Sequence, residues 1–152
     1  EVTTRLLGSF LTWMQEKDGP VFVVATANDI SKLPPELLRK GRFDEIFYVG
    51  LPKEEERSKI FEIHIKKRRS ADLNNINIQE LVKKTNGYSG ADIEGVVKES
   101  IEGVFADGRA ELTTKDVLAT IQGTHSLSEI MKEPLERMSQ EYKNRKFKNA
   151  SK

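Results

Sequence analysis

The sequence predicts an α/β fold in which a parallel-sheet portion is followed by a small helical bundle. Three observations predict it. Val21, Phe22, Val23, Val24 and Ala25 form a short continuous apolar run, rich in β-branched residues and preceded by Gly19 and Pro20. That is the pattern of a central parallel strand covered on both faces. Ile46, Phe47, Tyr48 and Val49 make a second short strand, closed by Gly50, Leu51 and Pro52. From Glu54 onward, apolar residues recur at helical spacing in short segments with capping signatures, and short helices of that kind pack as a bundle.

The chain has 152 residues, of which 37% are hydrophobic and 32% charged. Such a composition suits a folded, well-charged globular protein and not a disordered one. A net charge of +1 provides no global field for nucleic acid or a membrane surface. The absence of cysteine excludes disulfides and thiolate metal sites. With only His64 and His125, no histidine-rich metal site is expected, and no metal ligand is assigned. No apolar run approaches the ~20 residues that span a bilayer, and the N-terminus lacks the layout of a signal peptide. A cytosol-like compartment is the expectation.

Taken in order, Leu6, Leu7, Phe10, Leu11 and Met14 recur at helical spacing from Thr3 onward. Thr3 or Thr4 can cap that helix, Trp13 falls beside its apolar stripe, and Gly19 with Pro20 ends the segment. In open parallel sheets, ligands sit beyond the carboxyl ends of the strands. Thr26 and Asn28 lie at that end of the first strand, so Asn28 can point its amide into a crevice. Pro34 and Pro35 suit the start of a short helix, continued by Glu36, Leu37 and Leu38. Arg39, Lys40 and Arg42 follow, with Gly41 as the helix stop. On residues alone, the arginines pair equally well with Glu36, Asp44 or Glu45.

Glu54, Glu55 and Glu56 suit the positive end of a helix. Ile60, Ile63 and His64 share one face of it, and Phe61 and Ile65 an adjacent one. Lys66, Lys67, Arg68 and Arg69 read as a solvated end matched to the helix dipole. Asn77 with Glu80, Ser89 with Asp92, and Thr113 with Asp116 open three more helices. The second carries an apolar stripe of Ile93, Val96, Val97, Ile101, Val104 and Phe105. Gly95 and Gly103 lie within it, and small residues there would let a neighbouring helix approach. From Ser126, Leu127, Ile130, Met131, Leu135 and Met138 outline a last amphipathic helix, which Pro134 kinks or restarts. Residues 143–152 are basic and polar apart from Phe147 and Ala150, and read as a frayed tail or a partner-binding one.

The segment VFVVATANDISKLPPELLRKGRFDE, with its strand, Asn, Pro-Glu-Leu-Leu-Arg helix and Gly-Arg-Phe-Asp turn in order, resembles the second region of homology of AAA ATPases. The resemblance implies a C-terminal fragment of a parallel-sheet P-loop ATPase domain followed by a helical lid. It places the end of the α/β ATPase subdomain at residues 1–52, the lid at 53–125, and a C-terminal helix with a basic tail at 126–152. By the same resemblance Asn28 is sensor 1, which orients the attacking water or reads the γ-phosphate. Arg39 and Arg42 are the arginine fingers that reach a neighbouring subunit's nucleotide. KIFEIHIKK resembles the lid helix whose Ile and His line adenine and ribose, which falls on Ile60 and His64. GYSGADIEG resembles the lid motif at which Gly90 and Ala91 approach the nucleotide. Where wider AAA+ relatives carry a sensor-2 arginine, this sequence has Ala91 and Asp92.

The resemblance further implies ATP as cofactor, with Mg²⁺ held by residues outside this chain, because no Gly-rich phosphate loop occurs in it. The phosphate loop and the acidic Mg²⁺ strand are expected upstream of Glu1. The implied protein is a homo-oligomer, a hexamer in the family's pattern, that hydrolyses ATP to remodel a macromolecule whose identity the sequence does not give. Neither a membrane nor a nucleic-acid partner is indicated. The tail from THSLSEIMKEP is similar to cyanobacterial and plastid AAA proteins encoded by a conserved chloroplast reading frame, so plastid stroma stands beside cytoplasm as the expected location. The alternative is a non-enzymatic helical adaptor derived from an AAA domain. Either way, this chain by itself is expected to be inactive, and to hide the surface of its first strand by self-association or a rearranged sheet.

Overall fold

The computed structural model describes residues 2–39 and 41–151. Lys40, within the arginine turn, lies outside the described residues, as do the side chains of the expected caps Thr3 and Thr4 and of Leu127. The chain is mixed α/β, with helices and a short parallel sheet, and divides into two compact units, Glu1–Ile46 and Phe47–Lys152.

In the first unit, helix α1 runs Val2–Glu16. Its expected stripe is half-buried at Leu7, Phe10, Leu11 and Met14, while Leu6 is exposed. Trp13 stacks on Phe10 at the helix edge, with ring centroids 5.9 Å apart. The run Val21–Ala25 is not a strand. It has no strand partner among the described residues, although the Lys17 ammonium donates to the Val21 carbonyl at 3.2 Å, and Phe22 and Val24 stand 92% and 75% exposed. A strand needs neighbours for its N–H and C=O groups and cover for its side chains, and no described segment supplies either. Asn28 therefore follows an unpaired segment and not a strand end. Next to it, Asp29 caps a 3₁₀ turn at Ile30–Lys32 by accepting from the Ser31 N–H at 2.9 Å. The proline-started helix is likewise a single 3₁₀ turn, Pro35–Leu38, and buries Leu37. Gly41 follows at φ +90°, a left-handed conformation that glycine adopts without strain.

The second unit opens with strand β1, Phe47–Tyr48, and continues with α2, Glu54–Arg69. The Glu56 carboxylate accepts from the Lys53 N–H at 2.7 Å and caps α2. A 3₁₀ segment, Ser70–Asn75, leads to α3, Ile78–Lys83, which is capped by the Asn77 side chain. Helices α4, Gly90–Ala106, and α5, Thr114–Gly123, follow with the expected Ser89/Asp92 and Thr113/Asp116 capping pairs. The core is built from α2, α3, α4 and α5: Phe61, Ile65, Leu81, Val82, Ile93, Val96, Val97 and Val117 are fully or almost fully buried. The Phe61/Ile65 face of α2 is thus the core face.

Three expectations for this unit are corrected. Gly95 and Gly103 do not admit a close helix, because a side-chain carbon at either would meet only open space. Phe105 leaves the α4 stripe and stands 84% exposed. The basic run is solvated at Lys66 and Lys67 only. Arg68 bonds Glu94, and Arg69 bonds both the buried Asp72 and the Ala110 carbonyl. Burial raises the Asp72 carboxyl, yet the Leu112 N–H and Arg69 outweigh it and hold the group below the ordinary value.

The tail is not frayed. Helix α6, Leu127–Ile130, is followed by α7, Lys132–Asn144, which carries Pro134 in its first turn. Lys146 then takes φ +57° and turns the chain into strand β2, Lys148–Asn149. β2 pairs in parallel with β1, with Phe47 beside Lys148 and Tyr48 beside Asn149, and the Ala150 N–H donates to the Tyr48 carbonyl at 2.9 Å. The cause is aromatic: Tyr142 is buried, 4.5 Å from the Tyr48 ring and 5.7 Å from that of Phe147. Tyr and Phe at those distances add attraction beyond the area they bury. No described helix is long and apolar enough to cross a membrane.

Candidate functional site

Four of the expected residues gather along α2 and α4. The Ser89 hydroxyl accepts the Asp92 N–H at 3.1 Å, and the Ser89 carbonyl accepts the Ile93 N–H at 3.1 Å. Gly90 and Ala91 occupy the first turn, where helix N–H groups have no intrahelical acceptor and attract anions. Ile60 lies against Gly90: a side-chain carbon on Gly90 would meet Ile60 Cδ1 at 3.9 Å, ordinary contact. One turn further along α2, His64 faces Glu94, one turn further along α4, with 3.9 Å from Nδ1 to the carboxylate. The site thus pairs a half-buried aliphatic side chain and a half-buried imidazole with free N–H groups.

His64 is held below its ordinary value first by burial. Glu94 opposes that effect, while Arg68, Lys67 and Lys98 add to it. A neutral imidazole near physiological pH can stack on a base or hydrogen-bond without bringing a charge. The Glu94 carboxyl lies below its ordinary value through Lys98 and Arg68, whose side chains donate to it at 3.1 and 2.6 Å.

The other three expected residues belong to the first unit. Asn28 and Arg39 are exposed, and the Arg39 N–H closes the 3₁₀ turn on the Glu36 carbonyl at 3.4 Å. Arg42 is half-buried and turned onto α1. Its guanidinium donates to the Leu11 carbonyl at 3.3 Å and, with the Gln15 amide oxygen facing it, to Gln15 at 3.0 Å. The described partner of Arg42 is therefore α1.

A family profile described as "ATPase family associated with various cellular activities (AAA)" matches residues 1–51, and one described as "AAA+ lid domain" matches residues 75–119. The two matches take in well over half of the chain, including Asn28, Arg39, Arg42, Gly90 and Ala91. The chain belongs to the AAA family. It is 43% identical over 149 residues to an uncharacterized AAA domain-containing protein, ycf46, of Pyropia yezoensis, covering 98% of this chain and 30% of that protein. It is 48% identical over 120 residues to its counterpart in Guillardia theta, covering 79% and 24%. A proteasome-activating nucleotidase of Saccharolobus solfataricus is 40% identical over 122 residues, covering 78% and 30%. The chain spans about a quarter to a third of the length of these relatives.

Within this AAA chain, three charged residues of the α2–α4 region escape sequence reasoning. Arg68 is hidden in the basic run, although its spacing of four from His64 is a helix-face signal. Glu94 carries no local signature, because its partners come from another helix. Arg57, 6% exposed, donates to the Pro52 carbonyl at 3.0 Å and the Val82 carbonyl at 3.3 Å, and its Nε has no partner among the described residues. Nothing local distinguishes it from the neighbouring charges.

Both groups of the expected cofactor can be tested against these side chains. The α2–α4 site offers the adenosine part of ATP an apolar contact at Ile60, the His64 ring and the first-turn N–H groups of α4. Among the described residues no three His, Asp or Glu side chains gather to hold a metal.

Proposed function

We propose that the chain is the sensor, finger and lid portion of an ATPase that binds and hydrolyses ATP in a homo-oligomeric, hexameric ring and so remodels a macromolecule. In this reading residues 1–52 end the α/β subdomain, 53–125 are the lid, and 126–152 are a C-terminal addition. The ring works in the cytoplasm or the plastid stroma. The observation that carries the reading is the meeting of Ile60, His64 and the first turn of α4 in a chain of AAA ancestry. Ile60 and His64 take the adenosine part, and the N–H groups of Gly90 and Ala91 take partial negative charge. Membership of a family that includes a proteasome-activating nucleotidase supports ring assembly and a macromolecular substrate.

Asn28 is sensor 1 and orients the attacking water, and Arg39 is the finger. Phosphoryl transfer spreads negative charge over the phosphate oxygens, and a guanidinium delivered from a neighbour contributes ~10³–10⁵ in rate. Arg39 suits that role because it is exposed on a proline-started turn. Arg42, engaged with α1, supports the turn from behind and shapes the face it offers to the next subunit. Mg²⁺ is held by residues outside this chain.

ATPase assay of the full-length protein tests the reading. Arg39→Ala is expected to abolish turnover while leaving ATP binding, and Asn28→Ala to lower turnover in the same sense. Full turnover in both variants overturns it. The unpaired run Val21–Ala25 favours a second reading for this chain by itself, a helical adaptor without turnover. Micromolar affinity for Mg-ATP by calorimetry on residues 1–152 would refute that.

A further inference from the structure

Beside the proposed adenosine contact lies a small network that nothing above uses. One guanidinium nitrogen of Arg68 stands 3.0 Å from His64 Nδ1, and the other stands 2.6 Å from Glu94. Arginine has donors only. The Arg68–His64 bond therefore requires Nδ1 to accept, which leaves the ring proton on Nε2. Arg68 and the acceptor Glu94 are both partly shielded, with side chains 21% and 37% exposed. Lys98 pairs with the same Glu94 oxygen at 3.1 Å.

We propose that Arg68 is a positioning residue: backed by Glu94, it keeps the His64 ring neutral with its proton on Nε2, so that the ring offers one donor to an acceptor atom on the adenosine part of a nucleotide. The ligand half of this statement rests on the nucleotide reading above; the ring state does not. Glu94 is the competitor as well as the support. It lies 3.9 Å from Nδ1, and with Arg68 gone it would accept a hydrogen bond from a protonated Nδ1 and so favour the charged ring. The groups facing His64 are Arg68 and Lys67 on α2 and Glu94 and Lys98 on α4, and of the three cations Arg68 is the one hydrogen-bonded to the ring.

Nitrogen-15 NMR of the histidine ring in the 152-residue chain tests the ring state without nucleotide. The wild type is expected to show a single Nε2–H form and a midpoint below 6.5. Arg68→Met is expected to raise the midpoint by about one pH unit and to bring an Nδ1 proton into view. No change in a variant whose amide spectrum is native overturns the proposal, as does a wild-type ring protonated at Nδ1. Should Arg68→Met not fold, Glu94→Gln, which keeps an oxygen for Arg68, is expected to lower the midpoint; a rise overturns the proposal. Adenosine titrated to millimolar concentration is expected to move the Nε2–H signal, with affinity about 2–10-fold weaker in Arg68→Met. A locked ring that ignores adenosine overturns the nucleotide half alone. A response identical in the two proteins overturns the role of Arg68.

Discussion

The two units of this chain treat apolar residues in opposite ways. Residues 47–152 place Phe61, Ile65, Leu81 and Ile93 at zero exposure and cap α2, α3, α4 and α5 with side chains from their own sequence. Residues 1–46 bury one hydrophobic residue, Leu37, among those described and leave Phe22 at 92% and Val24 at 75% exposure. Helices satisfy their backbone within one segment, whereas a strand has to borrow partners from elsewhere. The bundle unit is therefore self-sufficient, whereas the first unit leaves apolar side chains uncovered among the described residues.

The largest expected effect comes from cutting into the bundle. Phe61→Ala should cost about 3–5 kcal/mol by cavity formation, read as a lower urea midpoint by circular dichroism, while Phe22→Ala should leave the same midpoint in place. Equal losses in the two variants would break the contrast. A smaller effect concerns acid. Asp116 is held at about 2, against an ordinary 3.8, first by the hydrogen bond from Arg109 and despite partial burial. Because the folded value is depressed, this group's contribution is complete above pH 3.8 and is lost as pH falls toward 2. With Arg109 partly exposed and screened, it amounts to about 1–2 kcal/mol. Urea melts from pH 5 to pH 2 should show that loss, and Asp116→Asn should remove this part of the slope.

Hydrogen exchange sharpens the comparison residue by residue. Amides of Val21–Ala27 should exchange near the unprotected rate, and those of Ile93–Val104 should be protected; protection at residues 21–27 in a monomer would contradict the unpaired segment. The smallest effect is a gain. Lys146 sits at φ +57°, so Lys146→Gly should stabilise the fold by about 1 kcal/mol or less, read as a slightly higher thermal midpoint.

Much of the bundle can be read from the sequence because its signals are local. Asn77/Glu80, Ser89/Asp92 and Thr113/Asp116 mark helix starts three residues apart, and the structure uses all three. The run Val21–Ala25 carries an equally clear local signal, but a strand is completed by its neighbours and the described residues hold none. The C-terminal strand shows the converse. Lys148 and Asn149 have no strand character of their own and pair only because Tyr142 and Phe147 bring them against Tyr48. At the candidate site, Ile60, His64, Gly90 and Ala91 are legible through family resemblance. Arg68 and Glu94 are not, since their roles depend on two helices lying side by side.

The pairing of β1 with β2 carries a practical consequence for engineering. Phe47 and Lys148 are neighbours, and Ser151 hydrogen-bonds the Glu56 carboxylate at the start of α2, so the beginning and end of the bundle unit are already stitched together. A short Gly-Ser bridge from residue 151 back to residue 47 should close that unit into a ring. New ends could then be opened at the exposed Asn86 turn, giving a rearranged chain with the same core.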